Sequence, residues 1–166
     1  MKRIEIEHHY GCSPDHVYGL LSTEEAMREK YTALNARHFR VKSMEETDEG
    51  LHVDTRREVP LGDDIPKGLR KFAGEYNRVR QRETWSAVDG DGYHCTVRVD
   101  LDGIPVRIGG EMRLSAHDSG SVNTINLEVS CSVPFIGKMA TEYVAGIIEQ
   151  QIASEHDYIK EVLTTV

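Results

Sequence analysis

Three polar side chains fall on the apolar faces of predicted strands, where they could do chemistry inside a fold. His8 shares a face with Ile4 and Ile6, and an imidazole can act as a general acid or base near neutral pH. Arg57 and Glu83 lie on the apolar faces of two later strands. Because an unpaired charge in an apolar interior is costly, we expect a cross-strand pair or a polar pocket floor that recognises a carboxylate, ketone or hydroxyl. A structural ion pair at the sheet edge is the alternative.

The same residues are the candidates for catalysis. His8 and Glu83 could move protons at a bound polyketide, since burial and neighbouring groups tune such pKa values toward the working pH. A hydrogen-bonded core histidine is the alternative for His8. Trp85 and Tyr93 could stack on a ligand, or they could be ordinary core aromatics.

No pattern in the sequence is typical of a metal or cofactor site. His8, His9 and Cys12 are close together, but neighbouring residues of a strand point to opposite faces, and no second ligand pair follows. Gly109-Gly110-Glu111 lacks the spacing of a dinucleotide-binding loop. We therefore expect no metal and no cofactor.

Charge and hydropathy restrict the partners that we expect. The 166 residues include 20 Lys+Arg and 28 Asp+Glu, a net charge of −8, which argues against nucleic acid because phosphate binding uses a basic face. No apolar run could span a membrane, and the first residues lack the core of a signal peptide. Cys12, Cys95 and Cys131 form no CxxC motif, which is typical of free thiols in a reducing cytoplasm.

Alternation of apolar and polar residues predicts seven strands. Residues 92–101 are a clear case, with Cys95, Val97 and Val99 on one face. Short turns such as Asp102-Gly103 separate the strands and favour an antiparallel meander. The strands are predicted at residues 2–10, 37–47, 51–59, 76–88, 92–101, 104–116 and 122–133.

Three helices complete the prediction. Ser13-Pro14 begins a short helix, and Ser22 with Glu25 has the spacing of a capping box at the start of a second. After Pro134 the apolar residues recur at every third or fourth position, which predicts one amphipathic helix of about 30 residues. The helices are predicted at about residues 14–21, 23–34 and 135–162.

These elements predict an α+β fold in a single domain over residues 1–166. The seven-stranded antiparallel sheet curves around the long C-terminal helix, and the two short helices after the first strand close one end. Residues 60–75 are too long for a hairpin turn and could act as a gate at the mouth of the space between sheet and helix. Gly109-Gly110 predicts a bulge or bend in the curved sheet.

Two segments resemble the START-like (SRPBCC) superfamily, which includes the birch-pollen allergen, lipid-transfer START domains, polyketide cyclases and aromatases. Its first strand and helix are similar to IEIEHHYGCSPDHVYGLLST, and its C-terminal helix is similar to VPFIGKMATEYVAGIIEQQIASEHDYI. The order of elements over nearly the whole chain resembles its helix-grip fold, most narrowly in an actinobacterial branch known only as a domain of unknown function. The resemblance implies the fold and leaves the activity open, because this fold hosts many functions.

On this basis we expect a protein that binds or carries a small hydrophobic molecule, lipid or polyketide-like, in a cavity between the sheet and the C-terminal helix. A polyketide cyclase or dehydratase-type enzyme is one alternative, and a protein-interaction module without a ligand is another. The sequence leaves the identity of the ligand and the formation of a homodimer open. The residues expected to line the cavity are Arg57, Glu83, Trp85, Val97, Met112, Met139, Tyr143 and Ile147.

Overall fold

A computed structural model describes residues 1–60, 64–88, 90 and 92–164 of the chain. Its elements follow the predicted order, with one additional short helix. They are β1 (Lys2–Tyr10), α1 (Pro14–Ser22), α2 (Glu24–Ala33), β2 (Arg37–Thr47), β3 (Gly50–Pro60), α3 (Lys67–Arg70), β4 (Tyr76–Val88), β5 (Gly92–Leu101), β6 (Arg107–His117), β7 (Gly120–Ser130) and α4 (Gly137–Thr164).

The seven strands form one antiparallel sheet in the order β1-β7-β6-β5-β4-β3-β2. β2 to β7 are a meander, as the short turns predict, and β1 joins its far end beside β7. α4 packs against β1 and β7. The predicted α+β helix-grip architecture is therefore confirmed, with a curved sheet around the long helix and two short helices after the first strand.

The two short helices have side-chain caps, and the second one starts differently from the prediction. Ser13 accepts a hydrogen bond from the backbone N–H of His16, as expected for its position before Pro14. Thr23, not Ser22, accepts from the backbone N–H of Ala26 at the start of α2. Ser22 belongs to the last turn of α1, where its hydroxyl donates to the carbonyl oxygen of Tyr18 at 2.6 Å.

Gly110 permits a close approach between strands, and of the bulge or bend predicted there the bulge is absent. β6 pairs without a register shift on both sides, but a Cβ at Gly110 would lie 2.0 Å from the carbonyl oxygen of Asn126 on β7. Only a residue without a side chain allows this approach. The irregular pairing occurs on the edge strand β2, between Arg37 and Arg40 and between Val41 and Ser43.

The segment between β3 and β4 contains α3 and is not a plain loop. Leu69 of α3 is fully buried, and a Cβ at Gly68 would lie 2.6 Å from Cε of Met139, which places α3 against the start of α4. Part of the predicted gate, residues 61–63, lies outside the described residues. Among the residues that the structure does describe, no helix is both long and apolar enough to cross a membrane.

Candidate functional site

A cavity of about 150 Å³ lies between the inner face of the sheet and α4. Side chains from six strands and from α1 to α4 make up its wall. Most of them are apolar, and polar side chains interrupt that wall at a few points. Met139, predicted to line it, lies outside the wall and packs on α3 instead. The other predicted residues all contribute to the wall, although their role toward a ligand stays a prediction: Arg57, Glu83, Trp85, Val97, Met112, Tyr143 and Ile147.

A chain of hydrogen bonds connects Arg57 to Trp85 along the inner face of β3 and β4. Arg57 Nη1 donates to Gln81 Oε1 at 3.0 Å, and Gln81 Nε2 donates to Glu83 Oε1 at 3.1 Å. Trp85 Nε1 donates to the other carboxylate oxygen of Glu83 at 3.0 Å. The inward direction of these side chains agrees with the alternation in the sequence.

A direct pair between Arg57 and Glu83, one of the two arrangements expected, does not form. Pro60 and Tyr76 are opposite each other where the two strands begin to pair, and this register places Arg57 opposite Val79. Glu83 lies four residues farther along β4, so Gln81 separates the two charged groups. The long connection between the strands does not fix a register as a tight turn would, so the sequence could not predict this offset.

Glu83 is a buried acid whose two oxygens are both occupied by neutral donors. Burial raises the pKa of Glu83 above its usual value, and the charge of Lys30 partly opposes this effect. The thiol of Cys95 lies 3.7 Å from the same carboxylate, and burial raises the pKa of Cys95 as well. Glu83 can therefore hold a proton more readily than an exposed carboxyl group.

Lys30 is a second cation at the cavity; it is buried, whereas Arg57 is half-buried, and the sequence-based prediction did not include it. It is only 4% exposed, and its Nζ lies 3.2 Å from Glu155 Oε1 on α4. Burial alone would lower the pKa of Lys30, but Glu155, together with Tyr31 and Glu83, outweighs this effect and raises it. A signal was available, because Met27, Lys30 and Tyr31 have the spacing of the buried face of α2.

His8 packs against α4 in a stack of aromatic rings. Its ring is 3.9 Å from that of His156, and Tyr10 meets His156 edge-on at 5.1 Å. Burial and the neighbouring His156 lower the pKa of His8 to about 4. His8 is consequently neutral at neutral pH, where it could accept a proton but would be a weak base.

Asn123 on β7 is a further polar group of the cavity wall and was not among the residues predicted from the sequence. It is 4% exposed, and its Oδ1 makes no hydrogen bond to any described residue. It lies opposite His8 in the pairing of β1 with β7. Its position was predictable, because it alternates with Ile125 and Leu127 on the inner face. A buried acceptor without a partner is available to a donor from water or from a ligand.

Tyr93 belongs to an aromatic cluster at the end of the sheet. Its ring stacks on Tyr18 at 3.9 Å, and its hydroxyl donates to Asp15 at 2.6 Å. Tyr18 in turn meets Trp85 edge-on at 5.4 Å. Tyr93 is absent from the cavity wall, so its contacts agree with the interpretation as a structural aromatic.

The arrangement is suited to enclosing a small, mostly apolar molecule and contacting it at a few polar points. Arg57 and Lys30 supply positive charge, Glu83 supplies a carboxyl group that readily holds a proton, and Asn123 supplies an unused acceptor. The described residues contain no group of three or more His, Cys, Asp or Glu side chains placed to hold a metal ion.

Solved structures with the same fold cover almost the entire chain. TTHA0849 from Thermus thermophilus is 15% identical with a TM-score of 0.68, and 99% of each chain is covered. Ms6760 from Mycobacterium smegmatis is 10% identical with a TM-score of 0.60, covering 98% of this chain and 91% of that one. Ara h 8.0201 is 13% identical with a TM-score of 0.51, covering 95% and 97% respectively.

These similarities confirm the START-like, helix-grip fold, and at such low identity they show the fold alone. No protein of curated function matches the sequence. One family does match, over residues 5–163, and its description is "Protein of unknown function (DUF2505)". The chain belongs to this DUF2505 family.

Proposed function

We propose that this protein, acting as a single domain, binds and carries a small hydrophobic molecule in the cavity between the sheet and α4. The cavity itself is the observation that supports this proposal, because it is concave and its mostly apolar wall carries a few polar groups. Burial of the ligand's apolar surface would drive binding, at about 25 cal/mol per Å² before the costs of association.

The volume of the cavity restricts the size of the ligand. At about 150 Å³ it is smaller than the roughly 300–1,000 Å³ of most ligand pockets and matches an engineered cavity that holds benzene. We therefore propose a ligand of about ten non-hydrogen atoms, such as one aromatic ring with a short substituent. A long-chain lipid would require the sheet and α4 to move apart.

Native mass spectrometry of the freshly purified protein, with solvent extraction of any released molecule, tests the proposal. We expect a retained mass of this small size, or uptake of toluene, phenylacetate or octanoate on incubation. A protein that keeps its apo mass with every one of these probes would overturn the proposal and favour an interaction module. The same spectra report whether two copies associate, which stays a prediction.

A substitution that fills the cavity gives a second test. Val97 lies in the wall opposite Gly110, which has no side chain, so Val97→Phe should occupy space that the ligand needs. Val41→Phe on the edge strand β2 is the matched control, because Val41 does not line the cavity. We expect Val97→Phe to lose the ligand and Val41→Phe to retain it. Equal retention by both variants would contradict binding at this site.

The raised pKa of the cavity-lining Glu83 favours a second candidate, an enzyme of the cyclase or dehydratase type. A buried carboxyl group that holds a proton can act as a general acid. Under this hypothesis Glu83→Gln would still bind the ligand and would abolish its conversion. If wild-type protein returns the bound molecule chemically unchanged, the carrier function is favoured.

The cytoplasm remains the proposed location of the protein. Cys12, Cys95 and Cys131 are all free thiols, which agrees with a reducing compartment. Localisation of a fluorescent fusion in the source cells would test this part of the proposal.

A further inference from the structure

Arg57 is a cation of the cavity wall whose charge is not matched by a contacting acid. Within the described part of the chain it forms no ion pair, and its one hydrogen bond goes to the neutral amide of Gln81. Its guanidinium lies 4.4 Å from the ring of Tyr31, which supports one face of the group. A guanidinium has five N–H donors in a fixed fork, so most of its donors remain unused.

The other charges near Arg57 are already engaged. Lys30 is paired with Glu155 at 3.2 Å. Both oxygens of Glu83 accept hydrogen bonds from Gln81 and Trp85, and Lys30 is the cation that acts most strongly on the pKa of Glu83. Gln81 thus lies between Arg57 and the carboxylate of Glu83.

Several arginines on the outer face of the same strands form ion pairs, whereas Arg57 forms none with the described residues. Arg80 and Arg56 both contact Asp54, and Arg82 contacts Asp100 at 3.0 Å. These three arginines therefore have aspartate partners, whereas Arg78, exposed on the same face of β4, has no ion pair among the described residues. Arg57 lacks such a partner although it borders an apolar cavity, where an unmatched charge is more costly.

We infer that the ligand carries a carboxylate, and that Arg57 binds this carboxylate while the apolar part of the molecule fills the cavity. The inference rests on the proposed function and specifies its ligand class, a small aromatic or branched aliphatic monocarboxylate. A carboxylate matches the guanidinium fork with two parallel hydrogen bonds. The net charge of the four ionisable side chains at this site is zero when all of them are ionised: Lys30, Arg57, Glu83 and Glu155. Binding of an added anion is therefore favoured only if the anion contacts Arg57 directly, at a shorter distance than Glu83 does.

Titrations with matched probes test this inference. Trp85 is the only tryptophan of the chain and lines the cavity, so its fluorescence or calorimetry can follow binding of phenylacetate, methyl phenylacetate and 2-phenylethanol. These molecules share one apolar body and differ in charge. We expect wild-type protein to bind phenylacetate at least about tenfold more tightly than either neutral probe.

Variants of Arg57 separate the charge from the fold. Arg57→Gln should lose about tenfold or more in affinity for phenylacetate, and its affinity for 2-phenylethanol should fall by much less. Arg57→Lys should recover part of the loss, since it restores the charge without the fork. Arg56→Gln on the outer face is the control and should bind all probes as wild type does.

The outcomes distinguish this inference from the proposed function. If acid and neutral probes bind equally, and Arg57→Gln affects them equally, the carboxylate inference is overturned and the carrier function stands. If none of these three probes binds the wild-type protein, this inference is overturned, and the carrier function stands only if native mass spectrometry shows a retained small molecule or uptake of toluene or octanoate. Preferential binding of phenylacetate that Arg57→Gln removes supports both.

Discussion

The Nζ atom of Lys30 on α2 lies 3.2 Å from Glu155 Oε1 on α4, across 125 residues of sequence. The pair joins α2 to α4, and both residues belong to the wall of the cavity. Its partners differ in burial, with side chains that are 5% and 32% exposed respectively. Removal of Glu155 would therefore leave a buried positive charge, whereas removal of Lys30 would leave a negative charge that water can reach.

Removal of Glu155 should be more harmful than removal of Lys30. Glu155→Gln leaves a buried ammonium without its main partner and should lower the free energy of unfolding by about 3 kcal/mol. Lys30→Met leaves a carboxylate that water can reach, and we expect a loss of about 1 kcal/mol or less. Urea denaturation at pH 7 measures both. The double variant should resemble Lys30→Met, and equal losses for the two single variants would contradict this account.

The stacked histidines should make folding depend on pH. The pKa of His8 is about 4 in the folded state, below its ordinary value of 6.5, so the unfolded chain binds more protons between these values. The stability that this residue contributes is therefore complete above pH 6.5 and is lost as the pH falls toward 4. We expect about 1–2 kcal/mol from this residue after solvent screening.

His8→Phe provides the comparison, because it keeps a ring against His156 and cannot take up a proton. In thermal melts between pH 4 and pH 7.5, the melting temperature of this variant should decrease less at acidic pH than that of wild type. Burial also lowers the pKa of His156. His156→Phe should therefore also make the decrease of the melting temperature at acidic pH smaller. Parallel curves for wild type and His8→Phe would exclude His8 as the cause.

Glu83 should stabilise the fold through its hydrogen bonds rather than through its charge. Glu83→Leu leaves Trp85 Nε1 and Gln81 Nε2 without acceptors and should cost about 3 kcal/mol. Glu83→Gln keeps one acceptor and should cost less. The single tryptophan reports the change, and we expect a shift of its emission in Glu83→Leu. Similar costs for the two variants would contradict a role for these hydrogen bonds.

The contribution of Glu83 to the free energy of unfolding should change with pH in the opposite direction to the contribution of His8. The pKa of Glu83 is raised in the folded state above its ordinary 4.5. The stability that Glu83 contributes through this shift is therefore complete below pH 4.5, and it is lost as the pH rises through the pKa of Glu83 in the folded state. The stability difference between wild type and Glu83→Gln should consequently narrow as the pH rises, in denaturation curves measured from pH 4 to pH 8.

Two glycines should respond to alanine in opposite ways. Gly110→Ala places a methyl group 2.0 Å from the Asn126 carbonyl oxygen, and the shift of β7 that it requires should cost about 3 kcal/mol or more. Gly146 lies within α4 with nothing within 4 Å of a Cβ, so Gly146→Ala should stabilise the protein by up to about 1 kcal/mol. Thermal melts distinguish the two, and a tolerated Gly110→Ala would contradict the close approach.

Much of the fold could be predicted because its signals are local. Alternation fixed the faces of the strands, and it placed Arg57, Glu83 and Trp85 correctly on the inner face. The change to a period of three to four marked α4, and a strand followed by two capped helices completed the pattern. These features depend on the sterics of neighbouring residues and on which side of an element is apolar.

The tertiary structure alone decided how the inward-facing groups meet. The register of β3 with β4 separated Arg57 from Glu83 by Gln81, and the packing of α2 on α4 brought Lys30 to Glu155. Periodicity reports the face of a residue but not its partner across the interior, because contacts between distant segments follow from the packing of the whole core. For the same reason only the packed structure determined that the cavity volume is about 150 Å³.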